Sequence, residues 1–181
     1  MNRTEIEREL AGKGDYVLID NITRFLKENV PQDIKRFCYL KLVEIYERRN
    51  MFSEEANIYG RLTEIAINSS DRKNYIIQEI GCFVKAGLFD RADATIRELG
   101  EEVKETERRK ILTEVIDVYK RQAGIYEKER RRSHAAKTYE KILSMNIPEA
   151  EKNEINKKLL VLYKELGMVG EYMKMKSKLG I

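Results

Sequence analysis

The sequence predicts an all-α protein, and three observations support that fold class. Apolar residues recur at helical spacing in almost every segment, as at Phe37, Leu40 and Val43, with charged residues between them. The 181 residues include 10 Gly and 2 Pro, too few for the many tight turns of a sheet-rich fold. No alternating run of five or more residues predicts a strand, because the nearest candidate, residues 16–20, continues with helical spacing.

Turn-forming residues divide the chain into about ten helices. Gly87 and Gly167 lie where a helix would end in a left-handed residue, and Pro31 and Pro148 lie where helices would begin. The breaks expected between helices are at Gly12 and Gly14, Val30-Pro31, Asn50-Met51, 68–70, Gly87, Gly100, 131–134, 146–148 and Gly167. The side chains expected to cap helix N-termini are those of Ser53, Asp71 and Asp90.

The predicted helices form successive pairs, and a large apolar residue recurs near the end of the first helix of each pair. We refer to these residues as the anchors: Leu10, Tyr46, Phe83, Tyr126 and Tyr163. Their separations are 36, 37, 43 and 37 residues, and a short turn and a second helix follow each of them. Such recurrence is typical of stacked helical hairpins, none of which can bury its apolar face alone. The longer step of 43 predicts that the helix within 106–130 exceeds its counterparts by about two turns.

The fourth hairpin carries a spacing known from a protein family: Tyr119-x2-Gln122-Ala123-x2-Tyr126, then Ala135 and Tyr139 nine and thirteen residues after Tyr126, with Pro148 downstream. The third hairpin carries a similar spacing over its turn and second helix, Phe83-x3-Gly87-x-Phe89-x2-Ala92. These stretches resemble the tetratricopeptide repeat (TPR) pattern. The resemblance implies a single domain, a right-handed α-solenoid of about five antiparallel helical hairpins, with units at approximately 1–31, 32–70, 71–104, 105–147 and 148–181.

The repeats depart from the family pattern in several places. The steps between anchors exceed the family's repeat of about 34 residues, and Gln122 stands where Leu is usual. Trp is absent, and one extra residue is expected within 46–56. Small residues such as Ala92 and Ala135 would still let the two helices of a hairpin approach closely. A related α-solenoid and an irregular helical bundle with tyrosines in its core are the alternatives.

The chain offers little for catalysis or metal binding. His134 is its one histidine, and no Cys or second His lies near it in sequence to complete a zinc site. The segment AGKGD, residues 11–15, lacks the spacing of a phosphate-binding loop. The many carboxylates fit solvated helix faces. We therefore predict that the protein is not an enzyme and binds neither a cofactor nor a metal.

Composition and charge predict a cytoplasmic protein. Charged residues make up 36% of the chain, no apolar run approaches a membrane span, and the charged N-terminal segment does not resemble a signal peptide. Cys38 and Cys82 lie in apolar helical settings, so we expect two buried, reduced thiols. The net charge of +4 is mild for a nucleic-acid-binding protein.

The TPR resemblance implies an inner groove lined by the first helix of each hairpin. Helical register places the positions nine, six and two before each anchor on one face, and lysines two residues after two of the anchors extend it. The residues expected in this groove are Phe37, Leu40, Glu44, Asn74, Ile77, Lys85, Lys120, Lys128, Lys157 and Val161. Lys120 and Lys157 hold matching positions, so the groove would suit a peptide or helix with an apolar residue and an acidic end. The alternative is that these lysines are ordinary solvated residues.

A second candidate surface is formed by apolar residues near the C-terminus: Met168, Tyr172, Met173, Met175 and Leu179. Methionine side chains adapt to irregular contacts. We expect part of this surface to be covered by another copy of the chain or by a partner protein. The alternative is that these residues pack entirely on the preceding helix, expected over 148–166.

Binding without catalysis is the function that these features favour. We predict a protein–protein interaction module, an adaptor or scaffold, that binds a peptide or helix in its inner groove. A less favoured alternative is an RNA- or DNA-associated helical-repeat protein that uses the basic segment 120–132, in which Glu127 and Glu129 dilute the positive charge. A third is a subunit with a purely structural role. No membrane partner is expected.

Overall fold

A computed structural model describes residues 3–102 and 104–181, and within those residues it contains ten α-helices and no strand. In chain order the helices are α1 Arg3–Leu10, α2 Asp15–Lys27, α3 Gln32–Arg48, α4 Phe52–Glu64, α5 Ser69–Ala86, α6 Phe89–Glu102, α7 Glu105–Lys128, α8 Arg132–Leu143, α9 Glu149–Glu165 and α10 Val169–Lys178. The all-α prediction is confirmed. The TPR-like arrangement of the helices stays a prediction.

The chain divides into two compact units, the first ending at Ala86 and the second beginning at Gly87. In the first unit, α2 packs on α3, and α4 packs between α3 and α5. Its core contains the fully buried side chains of Ile6, Ile22, Leu42, Leu62 and Ile80. That the five hairpins form a single continuous array stays a prediction.

The second unit repeats this order of packing. The long helix α7 packs on α6 and α8, α8 packs on α9, and α9 packs on α10. Its core contains the buried side chains of Ile111, Tyr119, Tyr126, Ile142 and Leu159. Helix α7 has 24 residues, against 17 or 18 in α3, α5 and α9, so the predicted excess of about two turns is confirmed.

A residue in the left-handed backbone conformation follows four of the anchors at the same distance. It lies four positions after the anchor each time: Asn50 (φ 55°), Gly87 (φ 74°), Arg130 (φ 57°) and Gly167 (φ 68°). In three of these turns the next residue donates its backbone N–H to the carbonyl of the anchor: Met51 to Tyr46 (2.9 Å), Arg131 to Tyr126 (2.8 Å) and Met168 to Tyr163 (2.9 Å). The left-handed helix ends predicted at the two glycines are confirmed, and four of the hairpins share the position of the left-handed residue, whereas in the first it is Gly12, two residues after Leu10.

Several local expectations are wrong. Ser53 is not an N-cap, because α4 begins at Phe52. Asp71 is not a cap either: Asn68 Oδ1 accepts the backbone N–H of Asp71 at 2.7 Å, so the capping side chain lies one turn earlier. Asp90 lies inside α6, which continues past Gly100 to Glu102.

The expected insertion in the second hairpin is absent. The turn after Tyr46 has the same length as the turn after Tyr126, since the left-handed residue follows each anchor at the same distance. Consequently Glu55, not Ala56, occupies the position held by Ala135 in the fourth hairpin, nine residues after the anchor.

Candidate partner-binding surfaces

The residues predicted to line the groove differ in exposure. Phe37 and Ile77 are buried, and the Arg3 guanidinium lies 4.6 Å from the centroid of the Phe37 ring. The structure therefore places these two side chains in the core of the first unit. Leu40 and Lys85 are half-buried, and the Lys85 ammonium lies 5.4 Å from the centroid of the Phe52 ring. Five others are exposed or line an open cleft: Glu44, Asn74, Lys128, Lys157 and Val161.

The first helices of neighbouring hairpins contact each other within each unit. In the second unit, Lys120 of α7 binds Glu151 of α9 at 2.6 Å. In the first unit, Arg36 of α3 donates to Asp71 of α5 at 3.1 Å and to the Tyr75 hydroxyl at 3.0 Å. Glu151 and Asp71 are each the third residue of their helix, so the two acceptors hold matching positions, whereas the donors lie one turn apart in register.

The contact with Glu151 changes the role expected of Lys120. Lys120 is half-buried and also lies 3.9 Å from Asp117, so its charge is balanced within the protein. Lys157, which the sequence placed at the matching position, is exposed on α9. The two lysines therefore have different surroundings. The Glu151 carboxylate, 31 residues along the chain from Lys120, neutralises Lys120, whereas Lys157 is exposed.

A cleft of about 410 Å³ opens in the second unit where the end of α7 and the start of α8 meet α9. Val161, 56% exposed, is an apolar residue on its wall. The other lining residues are charged, Leu162 apart: Glu127, Arg130, Arg132, Lys158 and Glu165. Arg132 binds Glu165 at 2.5 Å, and Lys158 binds Glu127 at 3.0 Å.

Tyr139 fixes one wall of this cleft. Its hydroxyl donates to Glu127 and accepts from Lys158 at 3.0 Å, and burial raises its pKa. The hydrogen bond to Tyr139, together with Glu127, raises the pKa of the Lys158 ammonium, so this lysine stays charged at neutral pH. The wall is thus held by a network rather than by one flexible side chain.

A second cleft, of about 320 Å³, lies in the first unit between α1, α2 and α3. Phe37 forms part of its floor, and Glu44 and Lys41, which bind each other at 2.8 Å, lie at its edge. The groove residues Phe37 and Glu44 therefore meet at one cleft of the first unit, whereas Val161 belongs to a cleft of the second.

The C-terminal surface is only partly open. Met175 is buried and belongs to the core of the second unit, which corrects its assignment to an exposed surface. Met168, Tyr172 and Leu179 are half-buried, Tyr172 within α10 and the other two at its ends. Val169 and Met173, by contrast, are 69% and 57% exposed.

The basic segment 120–132 carries less free charge than its sequence implies. Lys120 binds Glu151, Arg132 binds Glu165, and Arg131 lies 3.6 Å from Glu129. The Arg131 guanidinium also lies over the Tyr126 ring, 4.6 Å from its centroid. Much of the positive charge is thus paired, with Glu129 inside the segment and with Glu151 and Glu165 farther along the chain.

The described residues contain no group of three or more His, Cys, Asp and Glu side chains placed to hold a metal ion. His134 is exposed, as expected, and its ring lies 5.4 Å from that of Tyr126. Within the same part of the chain, no helix combines the length and apolarity needed to span a bilayer.

Sequence reasoning missed one buried acid. Glu55 is 2% exposed, its Oε2 atom has no hydrogen-bond partner among the described residues, and burial raises the pKa of its carboxyl group. The Cys82 thiol hydrogen-bonds to it, and burial raises the pKa of that thiol as well. The signal was available only through the alignment of the hairpins, which places Glu55 where another hairpin has Ala135.

These surfaces belong to an all-helical chain that no model of a known protein family matches and to which no curated protein is similar.

Proposed function

We propose that this chain is a non-catalytic protein–protein interaction module, an adaptor or scaffold of the cytoplasm, built as a right-handed TPR-like α-solenoid. The observation that carries the proposal is the recurrence of one turn geometry at a fixed distance from four anchors. Recurrence of this turn at a fixed distance from the anchors is what an array of repeated helical hairpins would show. Arrays of such hairpins leave extended surfaces that bind segments of other proteins.

The surface that supports binding best lies where the end of α7 meets α9 in the second unit. Val161 and Lys157 are exposed on α9, and Val161 opens onto the cleft of about 410 Å³. Arg130, which also lines this cleft, and Lys128 at the end of α7 are exposed and have no ion-pair partner among the described residues. An apolar residue next to unpaired cations fits a peptide or helix that carries an apolar side chain and acidic neighbours.

Selection from a library of random displayed peptides tests the proposed binding. We expect peptides that bind the wild-type chain and lose about tenfold or more in affinity for Val161→Asp, because the new carboxylate repels the acidic neighbours and removes the apolar contact. Val169→Asp is the matched control, since Val169 is also an exposed valine but lies on another helix. Selection of no peptide, or equal loss with both variants, would contradict the proposal.

Small-angle X-ray scattering tests the solenoid. A compact globule of this length would have a radius of gyration of about 16 Å. We expect a clearly larger value, because stacked hairpins extend in one direction. A radius at the globular value would reject the array and favour an irregular helical bundle.

RNA or DNA binding through residues 120–132 is the second candidate. The unpaired charges of Lys128 and Arg130 favour it, and the carboxylates that neutralise Lys120 and Arg132 count against it. Titration with a single-stranded oligonucleotide at low and moderate salt separates the two functions. A steep loss of affinity with salt would support phosphate contacts, whereas absence of binding at low salt would remove this candidate.

A further inference from the structure

One face of the second helix is covered in two of the hairpins. We define the stacking face by the positions 6, 10, 13 and 14 residues after the anchor. In α4 it consists of Phe52, Ala56, Tyr59 and Gly60, and in α8 of Arg132, Ala136, Tyr139 and Glu140. Successive residues of an α-helix are rotated by about 100°, so these four positions fall within an arc of about 100°. They therefore lie on one side of the helix.

Helix α5 covers the stacking face of α4. Phe52 at its start contacts Lys85 near the end of α5, and the Tyr59 ring lies 6.3 Å from the ring of Tyr75, near the start of α5. Ala56 between them is fully buried. The covering helix therefore runs antiparallel to α4.

Helix α9 covers the stacking face of α8 in the same way. Arg132 at the start of α8 binds Glu165 at the end of α9, and the Tyr139 hydroxyl accepts a hydrogen bond from Lys158, seven residues earlier in α9. Ala136 is again buried. The same positions are thus covered by the following helix in both units, although the residues of the covering helix that meet them differ.

The corresponding positions of α10 are Val169, Met173, Lys176 and Ser177. Val169 and Met173 are exposed apolar residues there, whereas Ala56 and Ala136 at the position of Met173 are buried. Lys176 is half-buried and has no ion-pair partner among the described residues. The face whose central position is buried in two other hairpins is open in this one.

We propose that the stacking face of α10 binds an amphipathic α-helix of another protein. The helix runs antiparallel to α10, with an apolar residue on Val169 and an acidic residue opposite Lys176. The acidic residue lies about seven to ten positions before the apolar one, the spacing of Lys158 to Glu165 and of Tyr75 to Lys85. Because Met173 is larger than the buried alanines, the residue facing it is small.

A second copy of the chain is a poorer occupant. Two α10 helices face to face would bring the cations Lys174, Lys176 and Lys178 of both copies together, and like charges at an interface are costly. Helix α1 of another copy offers no apolar stripe, because Ile6 and Leu10 are buried in its own unit. A helix with one acidic residue within an apolar stripe meets neither obstacle.

The test uses the full chain and two labelled synthetic helical peptides, with binding followed by fluorescence anisotropy. The first peptide carries Leu to face Val169, Ala to face Met173 and Glu about eight residues before the Leu; the second has Lys in place of that Glu. We expect the Glu peptide to bind about tenfold more tightly than the Lys peptide. Lys176→Glu should invert this preference, and Met173→Asp should abolish binding of both peptides.

Lys174→Glu is the matched control, because Lys174 is exposed on another side of the same helix and should leave the preference unchanged. Thermal unfolding checks that each variant folds. Failure of the Glu peptide to bind below about 1 mM, or no inversion in Lys176→Glu, would overturn the proposal. A wild-type dimer by light scattering that Met173→Asp makes monomeric would also overturn it in favour of a second copy.

This proposal is separable from the groove proposed above. Val161→Asp should leave binding of the Glu peptide unchanged, and Val169→Asp should weaken it, the reverse of their effects on the selected peptides. Loss of one activity with retention of the other therefore identifies which of the two surfaces was wrongly assigned.

Discussion

The hairpins α3–α4 and α7–α8 have the same turn, the same packing of the second helix and tyrosine at the anchor, yet they differ in chemistry at other matching positions. The left-handed position is Asn50 in one and Arg130 in the other. The position nine residues after the anchor is a buried acid, Glu55, in the first and Ala135 in the second. Backbone geometry and side-chain size at a few positions have thus been kept while polarity has drifted, which explains why the repeats are hard to detect by sequence identity.

A buried acid introduced into α8, at the position that matches Glu55, should have the largest effect on stability. Ala135 is fully buried, so Ala135→Glu combines overpacking with the burial of a polar group that has no partner. We expect the free energy of unfolding to fall by about 3 kcal/mol or more. Chemical denaturation measures it, with Lys137→Glu on the exposed side of α8 as the control. A change within about 0.5 kcal/mol would show that this position is not close-packed.

Removal of the buried acid Glu55 from α4 should have an intermediate effect on stability, and that effect should depend on pH. Because burial raises the pKa of Glu55, its protonated form is favoured in the folded state. The stability it contributes is present below its ordinary pKa of about 4.3 and is lost as the pH rises through the higher folded value. Glu55→Gln should therefore be more stable than wild type at pH 8 by about 1 kcal/mol, with a smaller difference at pH 4.

Thermal unfolding of wild type and Glu55→Gln across this pH range measures the effect. Glu54→Gln is the control, since Glu54, the residue directly before Glu55 on the same helix, is exposed. A difference between wild type and Glu55→Gln that is constant with pH would mean that Glu55 titrates alike in the folded and unfolded states.

The left-handed turn positions should give the smallest effect. Arg130→Gly relieves the crowding of a side chain at φ 57°, and the gain is reduced by the greater freedom of glycine in the unfolded chain. We expect a net gain of about 0.5–1 kcal/mol in the free energy of unfolding. Asn50→Gly should gain less, because asparagine tolerates this conformation better. Equal gains, or a loss in Arg130→Gly, would show that the Arg130 side chain makes stabilising contacts.

Much of the fold could be predicted because its determinants are local. The step of 43 residues between Phe83 and Tyr126 predicted the length of α7, and glycine marked the left-handed ends at Gly87 and Gly167. The turn at Arg130 gave no such signal, because a non-glycine residue in this conformation is imposed by the packing of the helices on either side. Propensity alone would place a break there only approximately.

The candidate surfaces could be predicted less well, because they depend on contacts distant in sequence. Register counted from the anchors put Phe37 and Val161 on the same face of the first helices, but only the neighbouring elements decide that one is buried and the other open. The charge of Lys120 is neutralised by Glu151, and no short-range pattern associates the two. The open face around Met173 became visible only by comparison with the hairpins where it is covered.

Both thiols of the chain, Cys38 and Cys82, lie in the first unit, and burial raises the pKa of Cys38 to about 11. Since thiolate is the reactive form, an alkylating reagent should modify them only when that unit opens. The wild-type chain therefore contains its own reporter for the unfolding of one half, without any dye or substitution. Mass spectrometry of the alkylated protein, set against circular dichroism of all ten helices, would reveal whether the two halves melt together.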